Sequence, residues 1–104
     1  MREAKLIIDA SKLRESSEIL RALAHPLRLK ILEFIDSNKS INVNKIYNTL
    51  GLEQSITSQH LKILRSTGLV KTSRVGKFIH YEIDYSKISK AVFAIDSFLD
   101  EIPE

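Results

Sequence analysis

Residues 54–84, QSITSQHLKILRSTGLVKTSRVGKFIHYEID, decide the fold because two periodicities meet within them. From Gln54 to Ser66 apolar residues recur every three or four positions, which predicts an amphipathic helix. The two runs that follow, LVKTSR and KFIHYEID, are rich in β-branched and aromatic residues and predict strands. Gly76 separates them and is expected at the tip of a hairpin. The segment therefore predicts a helix followed directly by a hairpin.

Helical patterns fill the rest of the chain, and Gly and Pro separate them. HPLRLKILEFIDS predicts a helix that begins at Pro26, and NVNKIYNTLG predicts a shorter one that ends at Gly51. An interrupted apolar stripe runs to about Leu23, and a regular one runs from about Tyr85 to Ile102. The first eight residues could be helical, extended or frayed.

This order of elements predicts a mainly α fold with a β-hairpin wing, helix-helix-helix-helix-hairpin-helix. Two short helices that are tightly joined and followed by a hairpin make a winged helix-turn-helix. The 104 residues suit a single domain, 1–104. Within it we expect the helix-turn-helix at 42–66 and the wing at 69–84.

Charge is distributed unevenly along the sequence. Residues 1–53 contain nine Lys and Arg against seven Asp and Glu, and residues 82–104 contain two against six. Residues 54–81 contain five basic residues and no acidic ones. A basic block beside an acidic one predicts a face for an anionic partner, although a solvated face that happens to lack acids is the alternative.

The predicted helix from Gln54 to Ser66 has an unusual polar face. At 100° per residue, Ile56, Leu61 and Leu64 are expected to be buried, with Thr57 and His60 at the boundary. The opposite face presents short hydrogen-bonding groups, an amide and one cation, which suit base edges and phosphates in the major groove of DNA, where a carboxylate would be repelled. The predicted major-groove contacts are Gln54, Ser55, Ser58, Gln59 and Lys62, with His60 as a second-rank contact.

Basic residues continue from this helix into the hairpin. A basic hairpin tip can reach along the DNA backbone or into the minor groove, although ordinary solvated hairpins also contain Lys and Arg. We expect contacts with phosphates or the wing groove from Arg65, Lys71, Arg74 and Lys77. Arg28 is expected to be structural rather than a DNA contact.

Several other function classes are disfavoured. The chain contains no cysteine, which excludes disulfides, thiolate metal sites and cysteine nucleophiles. It has no Gly-rich phosphate loop and no HExxH or GxSxG motif, so we expect neither an enzyme nor a cofactor. No apolar run approaches the length of a membrane span or a secretory signal, which favours a cytoplasmic protein without a membrane partner. A winged helix used only for protein–protein contact remains the alternative.

Three motifs resemble one known family. AHPLR at 24–28, SQHL at 58–61 and GLV at 68–70 are similar to those of the ArsR/SmtB-type bacterial transcriptional repressors, and the likeness covers most of residues 13–101. The resemblance implies a dimeric winged helix that binds an inverted repeat in double-stranded DNA and is released by an inducer, usually a metal ion. The operator, the regulated gene, the effector and the direction of regulation stay open.

The resemblance also implies that the first and last helices, 1–24 and 85–102, form a homodimer. An apolar stripe alone could equally pack on the core of its own chain. With the resemblance added, the expected interface residues are Leu13, Leu20, Ile88, Val92, Ile95 and Leu99.

The metal sites of the family have no counterpart in the sequence. The Cys-Val-Cys site of the third helix corresponds here to Asn42-Val43-Asn44, and an amide is a poor substitute for a thiolate. The second site, on the last helix, corresponds to Tyr85, Lys87, Phe98 and Glu101, or, shifted by one residue, to Asp84, Ser86, Ser97 and Asp100. Neither set contains the histidines that zinc prefers. The histidines at 25, 60 and 80 are expected to lie too far apart for a common site, so we predict no metal site.

Overall fold

A computed structural model describes residues 6–99. The five helices in this range are α1 (Ala10–Leu23), α2 (Pro26–Asn38), α3 (Val43–Leu50), α4 (Gln54–Ser66) and α5 (Tyr85–Leu99). Three strands accompany them, β1 (Ile41–Asn42), β2 (Val70–Val75) and β3 (Phe78–Ile83). The predicted mainly α winged-helix class is confirmed, and so is the order of its predicted elements. The predicted end of the last helix at Ile102 lies outside the described residues.

Capping side chains and one proline stabilise the starts of the first three helices. Asp9 caps α1, since its Oδ1 accepts hydrogen bonds from the backbone N–H of Ser11 at 2.9 Å and of Lys12 at 3.1 Å. Pro26 occupies the first turn of α2, where its missing N–H costs nothing. Asn42 caps α3 through a 2.9 Å hydrogen bond from Lys45 N. Of the first eight residues, whose conformation the sequence left open, residues 6–8 precede α1 and are not helical, and residues 1–5 lie outside the described range.

The hairpin and one short strand form a three-stranded antiparallel sheet in the order β1-β3-β2. Gly76, with φ +64°, makes the turn between Val75 and Phe78, which pair across the strands. The two-residue β1 places Ile41 opposite Tyr81 on the other edge of β3. The sequence did not predict β1, because two residues are too few to produce a period-two pattern.

The hydrophobic core lies where α2, α3 and α4 meet the base of the sheet. Its members are completely or almost completely buried aliphatic side chains from every element except α5: Ala22, Ile31, Leu32, Ile35, Ile41, Ile46, Leu61, Leu64, Leu69, Val70 and Ile83. The last helix contributes the partly buried Ile88. The hydroxyl of Tyr85 also donates to the carboxylate of Asp36, which joins the start of α5 to α2.

No helix within residues 6–99 combines the length and the apolar character needed to cross a membrane.

Candidate nucleic-acid interface

The buried side of α4 fixes which side chains point to solvent. Thr57, Leu61 and Leu64 are completely buried, and they lie within about 60° of one another at 100° per residue. Gln59 lies nearly opposite this group. The exposed polar surface of α4, called here the α4 face, comprises Gln54, Ser55, Ser58, Gln59, Lys62, Arg65 and Ser66.

Local hydrogen bonds define both ends of α4. At its start, the Thr57 hydroxyl donates to the Glu53 carbonyl at 2.9 Å, which satisfies a buried polar group inside the helix. Glu53 occupies the N-cap position without capping through its side chain. At the end, the Thr67 hydroxyl bonds the carbonyls of Ile63 at 3.0 Å and Leu64 at 3.1 Å. These bonds satisfy carbonyls of the last turn of α4, just before the chain turns into β2.

Two expectations about the burial of α4 residues are wrong. Ile56 was expected to be buried, but its side chain is 38% exposed. Thr57 was placed at the boundary, but it is completely buried. The helix is rotated so that Thr57 faces the core, which is possible because the bond to Glu53 satisfies its hydroxyl. As a result Ile56 and Ile63, also 38% exposed, flank one side of the α4 face.

His60 is half-buried and turns away from the α4 face toward α2. Its Nδ1 lies 3.2 Å from Nη1 of Arg28, and its ring centroid lies 4.8 Å from that of His25. Burial, the His25 ring and the Arg28 guanidinium together lower the pKa of His60 below its ordinary value of 6.5. The expectation that the three histidines are far apart is therefore wrong for this pair, although His80 lies elsewhere, with Nδ1 3.3 Å from Ser40 Oγ.

The basic residues of the hairpin divide between its two faces. Lys71 lies opposite Glu82 across the strands, whereas Arg74 lies opposite Ile79. Lys77 follows Gly76 at the tip and is exposed. The register therefore places a carboxylate of β3 opposite Lys71 and an apolar residue opposite Arg74. Arg74 and Lys77 are the exposed cations of the wing whose cross-strand neighbourhood contains no acid.

The expected interface residues fall into two groups. Leu13, Leu20, Val92 and Leu99 are exposed, whereas Ile88 and Ile95 are half-buried and Ile88 packs against the core of its own chain. Sequence reasoning omitted Phe93, 73% exposed, and Phe98, 85% exposed. Phe93 lies about 100° around α5 from Val92, off the stripe, and Phe98, three residues after Ile95, lies at its margin, so the spacing favoured Leu99 instead.

Two of the counterparts of the family's metal ligands are engaged in capping. Asn42 Oδ1 caps α3, and Asp84 Oδ1 accepts a hydrogen bond from Lys87 N at 3.1 Å at the start of α5. Glu101 and Asp100 lie outside the described residues. Within residues 6–99 no three carboxylate or imidazole groups cluster closely enough to hold a metal ion.

Known proteins share this arrangement. The profile described as "Bacterial regulatory protein, arsR family" matches residues 25–72. The chain is 38% identical over 81 residues to the transcriptional repressor PagR of Bacillus anthracis. This alignment covers 78% of this chain and 81% of PagR. The crystal structure of PagR matches with a TM-score of 0.68 and 34% identity over 84% of this chain and 99% of that chain. The crystal structure of NolR from Sinorhizobium fredii matches with a TM-score of 0.71 and 30% identity, over 91% of this chain and 97% of the NolR chain.

The fold and these similarities define the protein as a winged-helix transcriptional regulator. The chain belongs to the ArsR family of bacterial regulatory proteins. It is thus a DNA-binding regulator and not an enzyme, which confirms the class predicted from the sequence.

Proposed function

We propose that the protein is a homodimeric repressor that places the α4 face in the major groove of an inverted-repeat operator. The observation that carries this proposal is the chemistry of that face. Exposed helix surfaces commonly contain Glu and Lys, which favour helix formation, yet the α4 face presents three serines, two amides and two cations without a carboxylate. Short donors and acceptors match base edges, and cations match phosphates.

The outermost residues of the α4 face are assigned to bases, and those at its margin to the DNA backbone. Apart from Ser66 at the end of the helix, Ser55, Gln59 and Lys62 lie farthest from the buried side of α4, where a groove floor would meet them. Arg65 and the wing cations Arg74 and Lys77 are placed on phosphates or in the minor groove. Lys71 is a weaker contact since Glu82 faces it across the strands.

Dimerisation is supported by the apolar surface of α1 and α5. Leu13, Val92 and Leu99 are exposed in the single chain, and Phe98 extends the apolar area on α5. A cavity of about 240 Å³ between the two helices is lined mainly by apolar groups, including Ile19, Leu20 and Ala91. Exposed apolar surface of this extent favours association, and a second copy of α1 and α5 would cover it.

We further propose that regulation uses neither of the family's familiar metal sites. Asn42 and Asp84 both cap helices, so an ion would have to displace structural hydrogen bonds from amide and carboxylate oxygens. A lysine ammonium at position 87 would also repel a cation. The effector is left open, and the cytoplasm is the proposed location because the partner is chromosomal DNA.

Selection of duplexes from a random pool, followed by binding measurements at several salt concentrations, tests this function. We expect an inverted repeat with half-site centres about 10 base pairs apart, bound by two chains, with affinity that falls steeply as salt increases. Sedimentation of the free protein gives its oligomeric state. Failure to bind any duplex at low salt would overturn the proposal and favour a module for protein contact. Tight stoichiometric binding of zinc would overturn the metal-free part alone.

A further inference from the structure

One sequence motif has no part in the proposed DNA contacts. The block Ala24–Arg28 joins α1 to α2, and its arginine lies beneath α4 rather than on the α4 face. Arg28 is half-buried, and all three of its guanidinium nitrogens lie within hydrogen-bonding distance of a backbone carbonyl or the His60 ring. A half-buried guanidinium with such partners suggests a role inside the domain.

The Arg28 guanidinium connects three helices. Its Nε donates to the carbonyl of Ala22 at 2.9 Å, and its Nη2 donates to the carbonyl of Arg21 at 3.1 Å. These carbonyls belong to the last turn of α1, where helical partners are lacking. Its Nη1 lies 3.2 Å from Nδ1 of His60 on α4. A planar fork of donors can serve these three acceptors at once, whereas a lysine ammonium cannot match the same directions.

The contact fixes the chemical state of His60 as well as its position. A guanidinium can only donate hydrogen bonds, so Nδ1 of His60 is the acceptor and the neutral ring has its proton on Nε2. The His25 ring lies beside the His60 ring, with 4.8 Å between ring centroids and an angle of 58° between the ring planes. His25 is itself held by the backbone, because its Nδ1 accepts from Leu27 N at 3.2 Å.

We propose that Arg28 is a positioning residue for sequence-specific DNA binding. Through His60 it fixes α4 relative to the end of α1, so that the adjacent Gln59 meets base edges at a defined angle. Since α1 belongs to the proposed dimer interface, the same contact relates the α4 helices of the two protomers. This inference rests on the proposed role of the α4 face. It predicts a residue that affects base discrimination without touching DNA.

The geometry of the Arg28–His60 contact affects sequence-specific DNA binding more than nonspecific DNA binding. Hydrogen bonds to bases depend on placement within about 0.5 Å, whereas attraction to phosphates tolerates larger displacements. Loosening the Arg28–His60 contact should therefore weaken binding to a selected operator and leave binding to random duplex almost unchanged. A phosphate contact would weaken both and reduce the salt dependence.

The test uses the full chain and the operator selected by the wild-type protein. Arg28→Lys keeps the charge but loses the fork, His60→Asn keeps an acceptor near the position of Nδ1, and His60→Ala removes it. Arg14→Lys, at an exposed position of α1, is the matched control. Dissociation constants for operator and random duplex are measured across salt concentrations, with thermal unfolding of each variant in parallel.

We expect Arg28→Lys and His60→Ala each to weaken operator binding about tenfold, with random-duplex binding changed by less than about twofold. The double variant should be no worse than either single one, and His60→Asn should retain most of the wild-type affinity. Equal loss on both duplexes with a shallower salt slope would make Arg28 a phosphate contact and overturn the inference. A lower unfolding temperature with unchanged operator affinity would also overturn it.

Two further results separate this inference from the function on which it depends. If Arg28→Lys does not fold, the comparison of His60→Ala with His60→Asn decides, since both keep the bonds from Arg28 to α1. If the wild-type protein binds no duplex, the proposed function fails before any variant is compared. A wild-type protein that binds its operator, with variants that bind it equally well, contradicts the positioning role alone.

Discussion

Gln59 lies midway along α4 and nearly opposite its buried side, where an amide can bond two positions of one base. A side-chain amide pairs with adenine through N6 and N7 in the major groove, and such bidentate contacts discriminate by about 1–3 kcal/mol. We predict that Gln59→Ala weakens binding to the selected operator by this amount and relaxes the preference at one base pair. Binding to every single-base variant of the operator measures the effect. Uniform weakening on specific and random duplexes would remove Gln59 from the base contacts.

His60 gives a prediction about pH, because its pKa is lowered in the folded state. The unfolded chain binds a proton near the ordinary value of 6.5, before the folded chain does. Folding is therefore favoured by neutral His60 above about pH 6.5, and this contribution is lost as the pH falls through the lower folded-state pKa. We expect the free energy of unfolding to decrease between pH 7 and 5 more steeply in the wild type than in His60→Asn.

Urea unfolding at half-unit pH intervals provides this comparison. His25 and His80 are present in both proteins, so the difference between the two curves isolates His60 and its coupling to neighbours. Parallel curves would show that protonation of His60 is not linked to folding, and would contradict the neutral ring inferred from the Arg28 contact.

At the scale of elements, the wing contains cations with different surroundings. Lys77 is exposed beside the tip, whereas Lys71 faces Glu82. We predict that Lys77→Ala weakens binding to operator and random duplex alike and makes the slope of log affinity against log salt shallower by about one. Lys71→Ala, the matched variant in the same hairpin, should change the slope by less. An unchanged slope for Lys77→Ala would show that Lys77 does not contact a phosphate.

The short helix α3 depends on its cap. Asn42 Oδ1 satisfies the N–H of Lys45, one of the four that the first turn leaves without helical partners. Asn42→Ala should lower the free energy of unfolding by about 1 kcal/mol, measured by urea denaturation. Asn44→Ala, at the exposed second position of the same helix, is the control and should change it by less than about half as much. Equal effects would mean that the cap does not stabilise α3.

The elements were largely predictable because their signals are local. Pro26, Gly51 and Gly76 fall at the boundaries that their backbone preferences dictate, and the apolar period gives α2 and α4. Rotation of α4 about its axis was less predictable. Hydropathy places Ile56 inside and Thr57 at the edge, but a threonine that bonds its own backbone can be buried at little cost. Periodicity contains no information about such bonds.

The contacts among His25, Arg28 and His60 were not predictable from the sequence, for a related reason. The sequence separates Arg28 from His60 by 32 positions, and only packing of α2 against α4 brings them together. Helical position still indicated that His60 lies at the edge of the α4 face. The motif around Arg28 carries the resemblance to the family, but residue types alone do not reveal which acceptors a guanidinium finds.

At the scale of the whole molecule, the proposed dimer would function through the relative placement of its two α4 helices. A dimer with two-fold symmetry presents them to successive major grooves only if they lie about 34–36 Å apart. The apolar surface of α1 and α5 would set this distance. The hydrogen bonds of Arg28 would hold α4 in a fixed position relative to α1. Dimer contact and base recognition are therefore expected to be coupled rather than independent.

Leu99 tests that coupling, since it is 71% exposed in the single chain and is expected to be buried in the dimer. Leu99→Glu should leave the monomer folded, because its side chain is not part of the core. In a dimer it would place a carboxylate in an apolar interface, at a cost that should dissociate the two chains. We predict a monomer in sedimentation and operator affinity reduced to that of an isolated half-site. Ser97→Glu, which adds the same charge about 160° around α5, should remain dimeric and bind normally. A Leu99→Glu dimer with intact operator binding would show that the chains associate through another surface, and the spacing of the operator would then need a different geometric origin.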